Sequence, residues 1–213
     1  DTWGSERFRE SLAHPLLRAA LLGAVAGTDL GEDAETVRGS SLDRALKQAV
    51  RGCGISGTTM RREFPTFHTL VFDQRRRYRA SLHDDPSSAD PVLFVVGAPE
   101  VLLQRCRTVF DGTRSLAHSP EVRRNLLDRA AAAAASGTRV LAVCRRHLDR
   151  SRRQFDAGDV TDLTFLALLH FEDPLRPDAR EAVRGLAALG LRTILATGDH
   201  VETAAAVARE TGM

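Results

Sequence analysis

A chain of 213 residues, 43% hydrophobic and 27% charged, suits one large domain or two modest ones and is too apolar for general disorder. A formal net charge of +2 gives no electrostatic reason to expect nucleic acid or an acidic membrane surface as partner. No run of about 18 apolar residues is present to span a bilayer. All 30 basic residues except Lys47 are Arg, so lysine chemistry has a single candidate. Cys53, Cys106 and Cys144 are odd in number, far apart and outside any CxxC, which predicts reduced, mostly buried thiols in a cytosolic setting. The opening Asp1-Thr-Trp-Gly-Ser5 has no basic stretch followed by an apolar one, so it does not read as a signal peptide.

In chain order, Leu12, Leu16, Leu17, Ala20, Leu21 and Val25 recur at helical spacing, predicting a helix over 11–26. A polar, acidic loop over 28–38 follows. A second helix starts at Ser40 or Ser41 as N-cap, carries Asp43 in its first turn and stops near Gly52-Cys53-Gly54. Short strands are predicted over 66–70, 71–83 and 91–96, separated by Arg-rich and Asp-Pro-Ser-Ser breaks. Gly97-Ala98-Pro99-Glu100 turns into a helix, with Pro99 suited to its first turn. Residues 120–135 form an Ala-rich helix closed by Ser136-Gly137, and 138–144 a strand.

From Asp162 the pattern changes. A nearly continuous apolar strand over 163–170 precedes the stiff turn Glu172-Asp173-Pro174-Leu175-Arg176-Pro177. A helix over 178–189, an apolar strand over 191–196 and a helix over 200–211 follow. Strand, helix, strand, helix with apolar runs predicts part of a parallel α/β sheet. Thr197-Gly198-Asp199 would sit where such a strand meets a helix, the edge at which open α/β sheets bind ligands and a helix N-terminus accepts anions. The same three residues also fit an ordinary capped strand-to-helix turn.

Several stretches together resemble the P-type ATPases. Gly39-Ser-Ser-Leu-Asp43 resembles the family's Gly-Asp-Pro-x-Glu, and Phe72-Asp-Gln-Arg-Arg-Arg77 with Ser81 resembles Phe-Asp-Ser-x-Arg-Lys-x-Met-Ser. Gly97-Ala-Pro-Glu100 resembles Lys-Gly-Ala-Pro-Glu, and Gly137-Thr-Arg-Val-Leu-Ala142 resembles Gly-x-Arg-Val-Leu-Ala. Asp173-Pro-Leu-Arg176 and Thr197-Gly-Asp199 resemble the family's hinge and its Thr-Gly-Asp motif. The motifs keep the family's order across nearly the whole chain.

The resemblance implies an α+β nucleotide-binding (N) domain, an antiparallel sheet flanked by helices, over 1–160. It implies a partial α/β phosphorylation (P) domain of haloacid-dehalogenase-like, Rossmann-type fold over 161–213, with the hinge at 171–177. The chain would be an ATP-binding cytoplasmic fragment of an ATP-driven cation pump in the membrane, using ATP and Mg²⁺ through an aspartyl-phosphate. The phosphorylated Asp would precede Asp1, and a later Gly-Asp-Gly-x-Asn-Asp motif would follow Met213, so this piece alone would not turn over ATP. Its partners would be the rest of the P domain, the actuator domain and the transmembrane domain of the parent chain.

By the same resemblance Phe72 stacks on adenine, Asp43 stands where the family's Glu accepts from the adenine amino group, and Gly97 and Ala98 wall the pocket. Arg76 and Arg139 approach the nucleotide, and Asp173 and Arg176 work at the hinge. Thr197 and Gly198 would hold phosphoryl oxygens and Asp199 would help dock nucleotide and Mg²⁺. Val96 departs from the pattern, which has Lys there. Losing one charged hydrogen bond costs about 1.5–3 kcal/mol, so binding roughly ten- to a hundredfold weaker is expected unless an Arg substitutes, with Arg139 or Arg76 as candidates. A degenerate regulatory domain without ATP binding is one alternative. A free-standing haloacid-dehalogenase-like phosphatase is another, but it needs Asp-x-Asp after an apolar strand, whereas Asp159-Val-Thr-Asp162 precedes its strand.

Overall fold

A computed structural model describes residues 15–26, 41–52, 62, 64–135, 138–171, 175–197 and 201–213. Seven strands form one sheet: β1 (Thr66–Asp73), β2 (Tyr78–His83), β3 (Val92–Gly97), β4 (Cys106–Phe110), β5 (Ser115–Ala117), β6 (Arg139–His147) and β7 (Leu163–Phe171). Their order is β1-β2-β3-β6-β7-β4-β5. Every neighbouring pair is antiparallel except β4 and β7, which run parallel.

Alternation in the strands builds two cores, one on each face. Val92, Phe94 and Val96 of β3, Val143 of β6 and Leu166 of β7 pack against two helices, α1 (Pro15–Val25) and α2 (Ser41–Gly52), through Ala20, Leu21, Ala24, Val25, Leu46 and Val50. Leu93, Val95, Tyr78, Leu82, Cys144 and Phe165 face the other way and join Leu102, Leu103 and Leu163. That side takes the short helix α3 (Pro99–Leu102), the following 3₁₀ turn over 103–105, and Leu126 and Leu127 of α4 (Pro120–Ala135). The helix α1 lies close on the sheet because Gly23 has no side chain: a Cβ there would stand 2.8 Å from Val143 and 2.9 Å from Phe94. Cys106 and Cys144 are buried free thiols, as expected, with their sulfurs 3.6 Å apart. Cys53 lies outside the described residues.

The sheet corrects four expectations. The strand over 163–170 is expected in a parallel α/β unit. It is β7, fifth of seven in the sheet order, antiparallel to β6 and parallel to β4. An apolar run marks a strand covered on both faces, and here helices cover both faces of a mixed sheet. The stretch 191–196 forms no strand: Leu191, Ile194 and Leu195 are exposed, and no described strand lies beside them to pair their backbone. Without partners for its N–H and C=O groups, an apolar run does not make a strand on its own. The expected strand over 71–83 is two strands, broken by the turn at 74–77. Strands β4 and β5 were not foreseen, being short and partly polar. After the sheet come α5 (Ala179–Ala188) and α6 (Val201–Thr211), close to the helices expected there.

Candidate nucleotide site

Several of the singled-out residues meet at one end of the sheet. Strand β3 ends at Gly97, which faces Tyr78 at the start of β2 and Ala142 of β6. Arg139 lies three residues before Ala142 along β6 and so projects past that end, opposite Phe171. The 74–77 turn joins β1 to β2 at the same end.

The turn is built by Asp73. Its Oδ1 accepts from the backbone N–H groups of Arg75 at 2.9 Å and Arg76 at 3.1 Å, an Asx-type closure. The N–H of Arg77 donates to the Asp73 carbonyl at 2.7 Å, and Arg77 takes a positive φ of 59°. Its carbonyl in turn accepts from the N–H of Ala98 at 2.9 Å. Gly97 lets the two segments touch: a Cβ there would stand 2.4 Å from the Cβ of Tyr78 and 2.5 Å from the Arg77 carbonyl. Gly97 and Ala98 thus form a tightly packed wall on which the turn rests.

Around this wall, Phe72 is 58% exposed, an unusual cost for a large apolar ring on a strand. The Arg76 guanidinium folds back over the strand, Nη2 donating to the Val71 carbonyl at 3.0 Å. Arg139 is exposed, and by alternation with Leu141 and Val143 it lies on the α1–α2 face. Neither Arg76 nor Arg139 is in an ion pair among the described residues.

Asp43, in the first turn of α2, is bound to Arg79 of β2: Nη1 donates to Oδ1 at 2.8 Å. Arg79 belongs to none of the sequence motifs and follows directly on the run Arg75-Arg76-Arg77. The two-residue period of β2, which sets Arg79 on the face of Ser81 and His83, was the available signal. The guanidinium across the ladder from Val96 is that of Arg79, not Arg76 or Arg139. Lys47 lies on α2, one turn beyond Asp43.

The hinge and Thr-Gly-Asp residues are not gathered in this way. Asp173, Gly198 and Asp199 lie outside the described residues. Arg176 forms a two-point pair with Asp178 at 3.1 and 2.9 Å, and both are exposed. Thr197 is exposed and follows no strand among the described residues. No three His, Cys, Asp or Glu side chains cluster to hold a metal among the described residues, and none of their helices is long and apolar enough to cross a membrane.

A family described as P-type ATPase, cytoplasmic domain N, matches residues 14–178. The chain belongs to this family. It is 31% identical over 93% of its length to a cation-transporting ATPase of Synechocystis sp.. It is 30% identical over 83% of its length to a sodium/potassium-transporting ATPase alpha-1 subunit of Catostomus commersonii, and 30% identical over 92% to a calcium-transporting ATPase of Bacillus subtilis. The chain spans about a fifth of each relative: 22%, 18% and 22% of their lengths. The matched region includes β7.

Proposed function

We infer that this N domain binds ATP at the Gly97 end of its sheet and serves as the nucleotide-binding part of an ATP-driven cation pump. The observation that carries the reading is the exposed Phe72 ring at the same end of the sheet as Arg76 of the adjoining turn, the start of β6 at Arg139, and the wall of Gly97 and Ala98. An exposed aromatic face stacks a base for roughly 1–3 kcal/mol. Guanidiniums outside ion pairs suit phosphate oxygens, which they grip in a two-point fork. The wall keeps β3 and the turn closely packed, so a base on Phe72 meets a fixed surface.

In the whole pump, the proposal continues, an aspartate outside this chain takes the γ-phosphoryl group as an aspartyl-phosphate. Arg176 and Asp173 belong to the hinge, and Thr197, Gly198 and Asp199 to the phosphorylation side, in a membrane protein whose N domain is cytoplasmic. The described residues gather no donor set for Mg²⁺, so no step of this chain is routed through it. Phe72, Arg76 and Arg139 would hold nucleotide without performing chemistry on it. The N domain itself is drawn through β7 to about residue 178.

Titration of the chain with ATP, followed by amide NMR, tests this. Saturable shifts centred on 72–79 and 97–98 are expected in the millimolar range or below. The absence of any saturable shift up to several millimolar overturns ATP binding. Steady phosphate release by the purified chain, abolished by Asp199→Ala, would contradict the division of labour.

A further inference from the structure

We propose that Cys106 and Cys144 are a peroxide-responsive pair that closes to a disulfide and staples β4 to β6 across β7. The proposal is independent of the nucleotide reading. Both are free thiols buried on the face of α3 and α4, 7% and 0% exposed, with their sulfurs 3.6 Å apart. They come from strands that are not neighbours, because β7 lies between β6 and β4 in the sheet order. In a regular sheet two such strands stand about 9–10 Å apart, beyond the Cα separation that a disulfide spans. The contact exists because the ladder is irregular at both residues. The register of β4 against β7 slips between Cys106 and Thr108, and that of β6 against β7 slips between Val143 and Cys144. Irregularities of this kind bend a strand and re-aim a side chain. Here one on each side of β7 brings two thiols to one point, and the same bends give the backbone slack to draw the sulfurs together.

The surroundings set the order of events. The two thiols share an apolar cluster with Leu102, Leu103, Leu163 and Phe165. Cys106 donates from Sγ to the Leu102 carbonyl at 3.2 Å. Burial pushes the Cys144 thiol up, and the neighbouring Cys106 adds to this. A thiol attacks as its thiolate, so Cys144 is poorly suited to react first. Cys106 is the more exposed of the two and opens β4 directly after the 3₁₀ turn over 103–105, where a strand end frays most readily. Cys106 is therefore the attacking thiol and Cys144 the one that resolves its oxidised form.

The oxidant is a hydroperoxide, and hydrogen peroxide is small enough for so enclosed a site. Cys106 gives up its proton and its sulfur attacks one peroxide oxygen. The O–O bond breaks, hydroxide leaves and takes the proton as water, and Cys106 becomes a sulfenic acid. Cys144 then gives up its proton and its sulfur attacks that of Cys106. The S–O bond breaks and a second water leaves. Two thiols and one peroxide become one disulfide and two waters, the thiols losing the two electrons that the peroxide gains. The new bond closes the loop from 106 to 144, which carries the β4–β5 hairpin and α4. A closed loop restricts the unfolded chain and so favours the folded one.

The test treats the reduced full chain with a small excess of hydrogen peroxide, blocks the remaining thiols with N-ethylmaleimide in denaturant and maps the cysteine peptides by mass spectrometry. Cys106 and Cys144 are expected in one linked peptide that dithiothreitol separates. In Cys53→Ser, which removes the chain's third thiol, the oxidised form is expected to melt about 4–16 °C above the reduced form. Cys144→Ser is expected to lose both the link and the rise, and to leave Cys106 as a sulfenic acid that dimedone traps. Finding Cys106 and Cys144 both alkylated, either one joined to Cys53, or either one oxidised past the sulfenic acid without a link overturns the proposal. A link that forms without raising the melting temperature overturns the staple. If Cys53→Ser is unfolded by circular dichroism, the peptide map and melt of the unaltered chain decide.

Discussion

Phe72 and Gly97 enter the proposed site in opposite ways, one by exposure and one by the lack of a side chain. Because Phe72 is largely outside the core, Phe72→Ala is expected to leave the melting temperature almost unchanged. The same change should weaken ATP by about 5- to 150-fold, the equivalent of one stacked base. Parallel melts and titrations check both halves. Gly97→Ala is expected to do the reverse. A methyl 2.4 Å from the Tyr78 Cβ must push β3 and the turn apart, at about 1–3 kcal/mol for overpacking. That is roughly 2–10 °C in melting temperature for a chain of this size. Val96→Lys bears on the sequence-based expectation that a missing lysine costs affinity. It would set a second cation directly opposite Arg79, and like charges in opposed positions repel. The expected result is a lower melting temperature and no tightening of ATP; a tenfold gain in affinity would show that β3 does need its own charge.

At the scale of elements, β7 is the strand on which the sheet depends. It joins β6 on one side to β4 on the other, and its Phe165 and Leu166 enter opposite cores. A chain ending at Val160 leaves both neighbours with open edges and uncovered apolar faces, which favours aggregation over folding. A chain ending at Asp178 keeps all seven strands. Circular-dichroism melts should show a cooperative transition for the longer piece and none for the shorter; cooperative unfolding of the shorter piece would contradict the assigned place of β7. The elements legible in the sequence were those with their own local signal: the helix Ser41–Gly52, the Pro99 turn, and the Ala-rich helix Pro120–Ala135. Polar β4 and three-residue β5 had none, and they exist because β7 and then β4 offer an edge to pair with.

For the whole molecule, two buried histidines set the acid limit. His83 lies between strands. Its Nδ1 donates to the Phe64 carbonyl at 3.2 Å, and its Nε2 is 2.7 Å from the Ser81 hydroxyl. His118 donates from Nδ1 to the Cys106 carbonyl at 3.2 Å, and its Nε2 is buried without a partner among the described residues. Burial pushes both below the ordinary value of 6.5, against the opposing pull of their carbonyl bonds; Arg123 depresses His118 further. As pH falls, the unfolded chain therefore takes up these protons before the folded one. Stability is complete above about pH 7 and declines as pH drops through 6.5 toward the depressed folded values. The melting temperature is expected to be lower at pH 5.5 than at pH 7.5, with a shallower slope in His118→Gln. A flat profile in the unaltered chain would contradict neutral histidines.

The near-absence of lysine, the order of the motifs, and the candidates Phe72, Arg76 and Arg139 were all legible in the residues, because each is a property of local chemistry and spacing. Family membership followed from the same motifs. Three things were decided only by the tertiary structure. One is that the 163–171 strand completes this sheet. Another is that the 191–196 run has no strand beside it among the described residues. The last is that Arg79 stands across from Val96 and holds Asp43. The physical reason is the same each time. Strand pairing is made between residues far apart in the chain, so which side chain faces which depends on register, and periodicity along one strand does not contain it.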